Sequence, residues 1–520
     1  MNQLPEIISD LPIKTISTEP LPEITIAGIK FDSRQVAHGD LFVAVKGESV
    51  DGHKYIPMAI VNGASAVVGT EPIDDLAVPY IRVAESREAL AWLAAAFYDH
   101  PARSMCIIGV TGTDGKTTTS NLIYSILKKA GLKAGIISTV NAVIMDEEID
   151  TGFHVTTPEA LDIQRYLRQM AEAGITHVVL ETTSHGLAQH RVTGCEYDIA
   201  VVTNITHEHL DYHGSYDGYL AAKARLFEML PLTAVKPGGN PRLAILNADD
   251  QSYQPLRSKV GERFISYSTQ GKGTVNAVES RFLLDSVKFT VRSKDLAFDV
   301  DCPFPGEYNV SNCLAAIGAT VFGLGITPEA TQKGIAQASS VPGRMQRIDM
   351  GQDFTAIVDF AHTPNALRVA IETMRKMTSQ RVIAVFGSAG LRDREKRAMM
   401  AQVSTRLADL TILTAEDPRT ESLDAILEEM AEAARREGGV EGVTFFRVPD
   451  RGEAIQFGVD QAREGDLVAA FGKGHEQSMC FGTTEYLWDD RIAMKAALAK
   501  RLGVDGPDMP VLPTSKEKRR

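Results

Sequence analysis

Cysteine is scarce in this chain, with five residues at positions 106, 195, 302, 313 and 480. Their number is odd and no two share the short spacing of a metal-binding or redox pair, which argues against a disulfide framework. A reducing cytoplasm is the expected setting. Basic charge is also in deficit. Against 67 Asp and Glu stand 54 Lys and Arg, a net charge of -13, so no basic stripe is available for nonspecific contact with nucleic acid. Long apolar runs are missing too. No segment approaches the ~18 apolar residues of a membrane span, and the N-terminal MNQLPEIISDLP has no basic region followed by an apolar core. Neither membrane insertion nor a targeting signal is expected. The basic end, Lys516 to Arg520, reads as a solvated tail.

What the chain does have is apolar material: 520 residues, 44% of them hydrophobic, enough for about three to four domains. Residues 1–102 hold short β-rich runs punctuated by glycine, LFVAVKG and ASAVVG, and then an Ala/Leu-rich helical stretch from Glu88 to Tyr98. A small α/β domain is predicted there. Residues 103–341 alternate strand-like runs (GIIST, THVVLETTS, DIAVVTNIT, RLAILNADD) with helical patterns such as Thr157 to Ala173, which implies a mostly parallel sheet with helices on its faces. VPGRMQRI, near Val341, is a Pro/Gly break and reads as a linker. Over 342–503 the alternation restarts, with AIVDFAHTP, RVIAVFGSAG, LTILTAEDPR, VTFFRVP and DLVAAFGKGHE each leading into a helical stretch. Those runs predict a second doubly wound sheet of Rossmann-like type, whose ligands bind beyond the carboxyl ends of the strands. Residues 504–520 mix Pro, Gly and charge and are predicted to be a disordered tail.

The most specific stretch is GVTGTDGKTTTS, Gly109 to Ser120, set between an apolar run and a helical pattern. Gly112, Thr113, Asp114 and Gly115 can present successive backbone N–H groups to a phosphate, since glycine tolerates the dihedrals of such a cradle. The following helix adds the positive end of its dipole. Lys116 would reach the β/γ-phosphates, the hydroxyl of Thr117 would ligate Mg²⁺, and Thr118 continues the phosphate-facing turn. The loop is a variant of the standard P-loop, because Val110 stands where the first glycine is usual and the nearest glycine is Gly109.

Charged residues cluster at the ends of the later strand-like runs. Glu181 closes VVLE and His209 lies in NITHEHLDYH after VVTN. In a parallel sheet both would leave the same edge as Lys116, where a metal bridging nucleotide and substrate would sit. His207, His209 and His213 with Asp211 also invite a zinc reading, although no H-E-x-x-H frame is present. Further on, Asp359 and His362, then Arg392, Lys396 and Arg397, then AEDPRTE and GKGHE occupy strand ends. Arg forks suit carboxylates, while Glu416, Asp417 and Glu476 suit an ammonium group, so an amino acid would satisfy both sets.

These motifs in this order resemble the Mur ligase family over about residues 30 to 500. The resemblance is carried by FDSR and DGH, by GTDGKTT, TTP, ETTSHGLAQHR, NITHEHLDYHG and YLAAKARLF, and by GEYNVSN, VPGRM, VDFAHTP, RDREKR, EDPR and GKGHE. It implies a three-domain ATP-dependent ligase of cytoplasmic peptidoglycan precursor synthesis, which adds the third residue of the stem peptide. The first domain would hold the UDP end of the substrate through Ser33 and the stretch Glu48, Ser49 and Val50. Thr156, Thr157, Thr183, Gln189 and Arg191 would hold the muramoyl-peptide portion. Lys116, Thr117, Glu181 and His209 would serve phosphate and Mg²⁺. Lys223 falls on the family's carbamylated lysine, whose carbamate would coordinate or orient a second Mg²⁺. Arg344 and Asp359 would contact the nucleotide, and Arg392, Glu416, Asp417, Arg419, Gly472 and Glu476 would form the amino-acid pocket.

The partners implied are small molecules, a UDP-muramoyl dipeptide and a diamino acid, with oligomeric state left open and a monomer favoured. EDPR departs from the Asp-Asn-Pro-Arg associated with meso-diaminopimelate. Arg419 favours a substrate with a second carboxylate, whereas Asp417 beside Glu416 adds negative charge that favours a bare ammonium, so meso-diaminopimelate, L-lysine and L-ornithine all stay open. A related amide ligase of the same superfamily and a P-loop switch that hydrolyses ATP without an amino acid are the alternatives.

Overall fold

The computed structural model describes residues 2–12, 20–47, 50–139, 142–144, 147–149, 157–206, 208, 210–283, 285–338 and 341–515. Among the described residues the strands assemble into sheets of four, eleven and six members, with a separate two-stranded hairpin. The first sheet contains Ile29–Lys30, Leu41–Val43, Ala66–Gly69 and Tyr80–Arg82, all parallel. LFVAVKG supplies a strand buried along its whole length, as a continuous apolar run should when both faces are covered. The helix Ser86–Phe97 buries Leu90 and Leu93 against this sheet. Ala91 and Ala95 of the same helix lie against Gly194 of the middle region. Small side chains there allow the two units to approach closely.

The eleven-stranded sheet is centred on Cys106–Thr111, flanked by His177–Glu181 and Ile199–Val202, both parallel to it. Parallel pairing runs outward as far as Val275–Phe282, and both edges then continue antiparallel. On one face lies a core that includes Leu122 and Ile126 of the helix Lys116–Lys129 with Leu314 of Tyr308–Ile317. On the other, the helices Ala160–Glu172 and Tyr216–Met229 bury Ile163, Leu167 and Met170, and Tyr219 and Phe227. Each aliphatic side chain so buried contributes about 1.5–3 kcal/mol. The central strands are therefore held from both sides, and their carboxyl ends form one rigid edge.

The third sheet runs in the order Gln346–Ile348, Thr355–Asp359, Leu467–Phe471, Val382–Phe386, Leu410–Leu413, Phe445–Arg447. All pairings are parallel except the first. Each of the five runs predicted after Val341 forms a strand. The segment read as a linker does more than connect: its QRI adds as an antiparallel edge strand, because only the preceding Pro-Gly part needs to turn. The tail predicted from Gly503 onward is also corrected over 504–515. After the helix Asp490–Leu502 ends at Gly503 in a left-handed conformation, Leu512 enters the core of the third sheet, and Asp450 accepts hydrogen bonds from the hydroxyls of Thr514 (2.8 Å) and Ser515 (2.9 Å). A composition rich in Pro and charge concealed these anchoring residues. Positions 516–520 lie outside the described residues.

Candidate active site

Strand order fixes the neighbours of the phosphate loop. Because Cys106–Thr111 lies between His177–Glu181 and Ile199–Val202, residues 112–115, Glu181 and residues 203–206 leave the sheet side by side. Thr203 Oγ1 donates to the carbonyl of Asp114 at 2.6 Å, Asn204 Nδ2 to the same carbonyl at 3.1 Å, and Thr113 N to the carbonyl of Asn204 at 2.7 Å. Gly112 has φ +151° and Gly115 φ +83°. A β-carbon on Gly112 would collide with the Thr203 hydroxyl. Glycine is required there by space as well as by dihedral.

At the start of the helix Lys116–Lys129, Thr117 Oγ1 donates to Glu181 Oε1 at 3.0 Å, and the backbone N–H of Thr139 donates to Glu181 Oε2 at 3.1 Å. Lys116 Nζ turns back onto the carbonyls of Gly112 (3.0 Å) and Thr113 (2.7 Å). Lys223 is 1% exposed and its Nζ donates to the same Gly112 carbonyl at 2.7 Å. Burial, reinforced by the charge of Lys116, drives its pKa down, although Glu208, Asp114 and Glu181 pull the other way. A buried amine beside another ammonium has a strong incentive to lose its proton.

The third sheet reaches into this edge. Arg344 Nη2 comes to 3.5 Å from Thr117 Oγ1, Asn365 Nδ2 donates to Asp114 Oδ2 at 3.2 Å, and His362 Nε2 stands 3.6 Å from Glu208 Oε1. Between the two sheets is a cavity of about 230 Å³. Asp114, Gly115 and Thr118 form its phosphate-loop end, while Phe304, Tyr308, Met345 and Val369 give it an apolar wall. An apolar slot opening onto an anion cradle suits a nucleotide.

A second cluster extends from the ends of the strands Leu467–Phe471 and Leu410–Leu413, which lie on either side of Val382–Phe386. Lys473 Nζ lies 3.1 Å from both carboxylate oxygens of Asp417 and 2.5 Å from Glu476 Oε2. Burial pushes the Glu416 carboxyl up to about 7 against the pull of Lys396, Arg451 and Lys473. Beneath them Arg451, fully buried, bonds both oxygens of Asp490 and the carbonyls of Ala415 and Phe471.

Three family models match in sequence order: "Mur ligase family, catalytic domain" over residues 25–98, "Mur ligase middle domain" over 110–320, and "Mur ligase, glutamate ligase domain" over 343–474. The UDP-N-acetylmuramyl-tripeptide synthetase of Roseiflexus sp. (strain RS-1) is 43% identical over 489 residues, covering 92% of this chain and 96% of that protein. The chain belongs to the Mur ligase family.

Like its relatives, this Mur ligase is an ATP-dependent ligase. It is 40% identical over 482 residues to the UDP-N-acetylmuramoyl-L-alanyl-D-glutamate--2,6-diaminopimelate ligase of Geobacillus kaustophilus (strain HTA426), covering 92% of this chain and 95% of that protein. A solved structure of a UDP-N-acetylmuramoyl-L-alanyl-D-glutamate--2,6-diaminopimelate ligase superposes with a TM-score of 0.65 at 30% identity, over 96% of this chain and 99% of that one.

Within this Mur ligase, Lys116, Thr117, Glu181 and Lys223 meet at one sheet edge, while His209 and His207 lie outside the described residues. His213 stacks near the rings of His185 and Tyr219. Among the described residues no group of three or more His, Cys, Asp or Glu is arranged to hold a metal. Thr157, Thr183, Gln189 and Arg191 form a connected set beside Glu181: Thr157 and Thr183 hydroxyls are 3.0 Å apart, Arg191 Nη1 donates to the Thr157 carbonyl at 2.9 Å, and Arg191 Nε to Gln189 Oε1 at 3.1 Å. Thr156 is outside the described residues, as are Glu48 and Ser49. Val50 is exposed and Ser33 is buried on the first sheet's edge, its hydroxyl 3.5 Å from Met58 Sδ. Asp359 lines the cavity, but its oxygens accept from the backbone N–H groups of Met345 (2.6 Å) and Ala361 (2.9 Å). Arg392 is exposed on the loop before the helix Arg394–Leu407.

Asp417 and Glu476, expected to present negative charge to an ammonium group, are both paired with Lys473. Lys473 itself, inside the quoted GKGHE, carried no assignment, and neither did Glu208 or the cavity-lining Asn309 and Asn312 of GEYNVSN. Their polarity in the middle of motif segments was the available signal.

Proposed function

We propose that this Mur ligase adds a diamino acid to the D-Glu carboxylate of UDP-N-acetylmuramoyl-L-Ala-D-Glu through an acyl phosphate, and that the reacting phosphoryl group lies at the Lys116, Thr117 and Glu181 edge. The observation that carries the reading is the meeting of Arg344 with Thr117 across the sheet boundary. It brings a cation from the third sheet to the phosphate loop of the second. The triphosphate of ATP would displace Lys116 from the carbonyls it now holds and lie along the loop N–H groups, with the nucleoside in the apolar cavity. The D-Glu carboxylate attacks the γ-phosphorus, the bond to the β-bridging oxygen breaks, and ADP leaves. The neutral amine of the amino acid then attacks the acyl carbon, and phosphate departs from the tetrahedral adduct. Thr157, Thr183, Gln189 and Arg191 would orient the carboxylate beside Glu181. Closure over the site would keep water from the acyl phosphate.

The oxygen donors at the loop fit Mg²⁺: the Thr117 hydroxyl and Glu181 carboxylate are neighbours, with Glu208 close by. When bound, the ion would neutralise charge on the transferring phosphoryl group. Lys223 fits a carbamate, since carbon dioxide reacts with a neutral amine and burial favours that form here. Its carbamate would supply an anionic oxygen ligand or orienter for a second Mg²⁺. For the amino acid, the names of several relatives favour 2,6-diaminopimelate, while the Roseiflexus relative's name specifies none. The test is phosphate release by purified enzyme with UDP-muramoyl dipeptide and ATP, offered meso-diaminopimelate, L-lysine and L-ornithine separately. Release that depends on acceptor and amine is expected. Equal ATP turnover without any amino acid would replace the ligase reading with that of a P-loop switch.

A further inference from the structure

The strand ends 416–419 and 472–476 gather three carboxyl side chains, Glu416, Asp417 and Glu476, around one buried ammonium. Taken by residue type alone, this pocket is anionic. The geometry changes the count. Lys473, 1% exposed at its side chain, touches both oxygens of Asp417 at 3.1 Å and Glu476 Oε2 at 2.5 Å. The remaining direction of Asp417 is also used, since the backbone N–H of Cys480 donates to its Oδ1 at 2.9 Å. Although burial works against a cation, Glu476 and Asp417 hold the pKa of Lys473 above its usual value. The buried polar atoms beside this cluster with no hydrogen-bond partner among the described residues include Glu416 Oε2 and Arg419 Nε. Arg419 is held in place by its own backbone, which sits at φ +54° and pairs with Cys480 and Gly482. None of the described ion pairs uses it.

We propose that Lys473 is a specificity-determining residue: by drawing Asp417 and Glu476 onto itself it offsets one of their two negative charges in the amino-acid pocket and leaves Arg419 and Glu416 to receive, respectively, a carboxylate and an ammonium at the distal end of the incoming amino acid. This role rests on the ligase reaction proposed above and sets how its amino-acid pocket discriminates. With Lys473 in place the complementary ligand is a diamino acid whose far end is itself an amino-acid head. Without Lys473, Asp417 and Glu476 would face the ligand as bare anions, and a distal carboxylate would meet repulsion while a lone ammonium gained two partners. Lys473 acts through the two acids and is a positioning residue for them.

The experiment measures kcat/KM of the full-length enzyme for meso-diaminopimelate and for L-lysine, in wild type, K473M, D417N and the K473M/D417N double variant. In K473M the diaminopimelate-to-lysine ratio is expected to fall about ten-fold or more, the scale of truncating one partner of a buried charge pair. The double variant, with one of the released anions replaced by an amide, is expected to recover about three-fold or more of that loss. D417N alone leaves Lys473 balanced by Glu476, one negative charge fewer than in wild type, and is expected to raise the ratio. A K473M ratio within about two-fold of wild type, or no recovery in the double variant, overturns the proposal. A purely structural role for Lys473 would lower both values together and leave the ratio still. Should K473M fail to fold, D417N decides, and a ratio that falls or stays level overturns the idea. Wild-type enzyme inactive with both amino acids would instead sink the ligase reading, and this inference with it.

Discussion

Arg451 offers a direct test of how the amino-acid end of the site is built. Its guanidinium is fully buried and donates to Asp490 Oδ1 at 2.7 Å, Asp490 Oδ2 at 2.6 Å, the Phe471 carbonyl at 2.7 Å and the Ala415 carbonyl at 3.1 Å. Trp488 Nε1 also donates to Asp490 Oδ1, at 2.8 Å. In R451M, Asp490 becomes a buried anion with only the indole for company, a change that costs about 3–5 kcal/mol. Two carbonyls lose their donor as well, each adding about 1–3 kcal/mol where water cannot reach them. A loss of about 4 kcal/mol or more is expected for the third domain. Removing the anion as well, in R451M/D490L, should return about 2 kcal/mol or more, because what remains is mostly apolar. The protein has two tryptophans, Trp92 on the first sheet's helix and Trp488 within this network. A W92F background therefore makes fluorescence in a urea titration report the third domain by itself. Since Ala415 and Phe471 directly precede Glu416 and Gly472, KM for the amino acid should rise more than KM for ATP. A stability loss under about 1 kcal/mol, or no recovery in the double variant, would refute the argument.

The other predictions concern the phosphate edge and its neighbour. K223A should cripple product formation, with added short-chain carboxylic acids restoring part of it; full activity in the unrescued variant would remove the carbamate role. G112A places a β-carbon against the Thr203 hydroxyl at a backbone angle suited to glycine, so KM for ATP should rise by about ten-fold or more while circular dichroism stays unchanged. An unchanged KM would show that the loop can shift. Glu416, raised to about 7 by burial, is neutral below that pH and anionic above it. KM for the diamino acid should fall as pH rises through about 7, and E416Q should flatten that step, as initial rates at saturating ATP would show.

Much of the phosphate edge could be read before the structure. A glycine-rich turn after an apolar strand has few uses, and parallel alternation alone brings Glu181 to the same edge as Lys116. The details that escaped are matters of side-chain partnership. In NITHEHLDYH the imidazoles drew the metal reading, while Glu208, one acid among many, turned out to face Lys223, Asp114 and His362. Asp417 was read by its charge, but its charge is answered by Lys473, 56 positions away in sequence. Periodicity carries no information about such a distance. The same limit applies to 504–515, where Leu512 and two hydroxyls decide the outcome against the average composition.

The carbonyl of Gly112 accepts from both Lys116 and Lys223, so two amino groups crowd one acceptor whenever no phosphate is at hand. A nucleoside without phosphates could fill the apolar slot yet do nothing to relieve that crowding. Each additional phosphate would draw Lys116 outward, away from that carbonyl. Affinity should therefore climb steeply from adenosine to ADP to ATP, with the protein acting as a counter of negative charge before any chemistry begins.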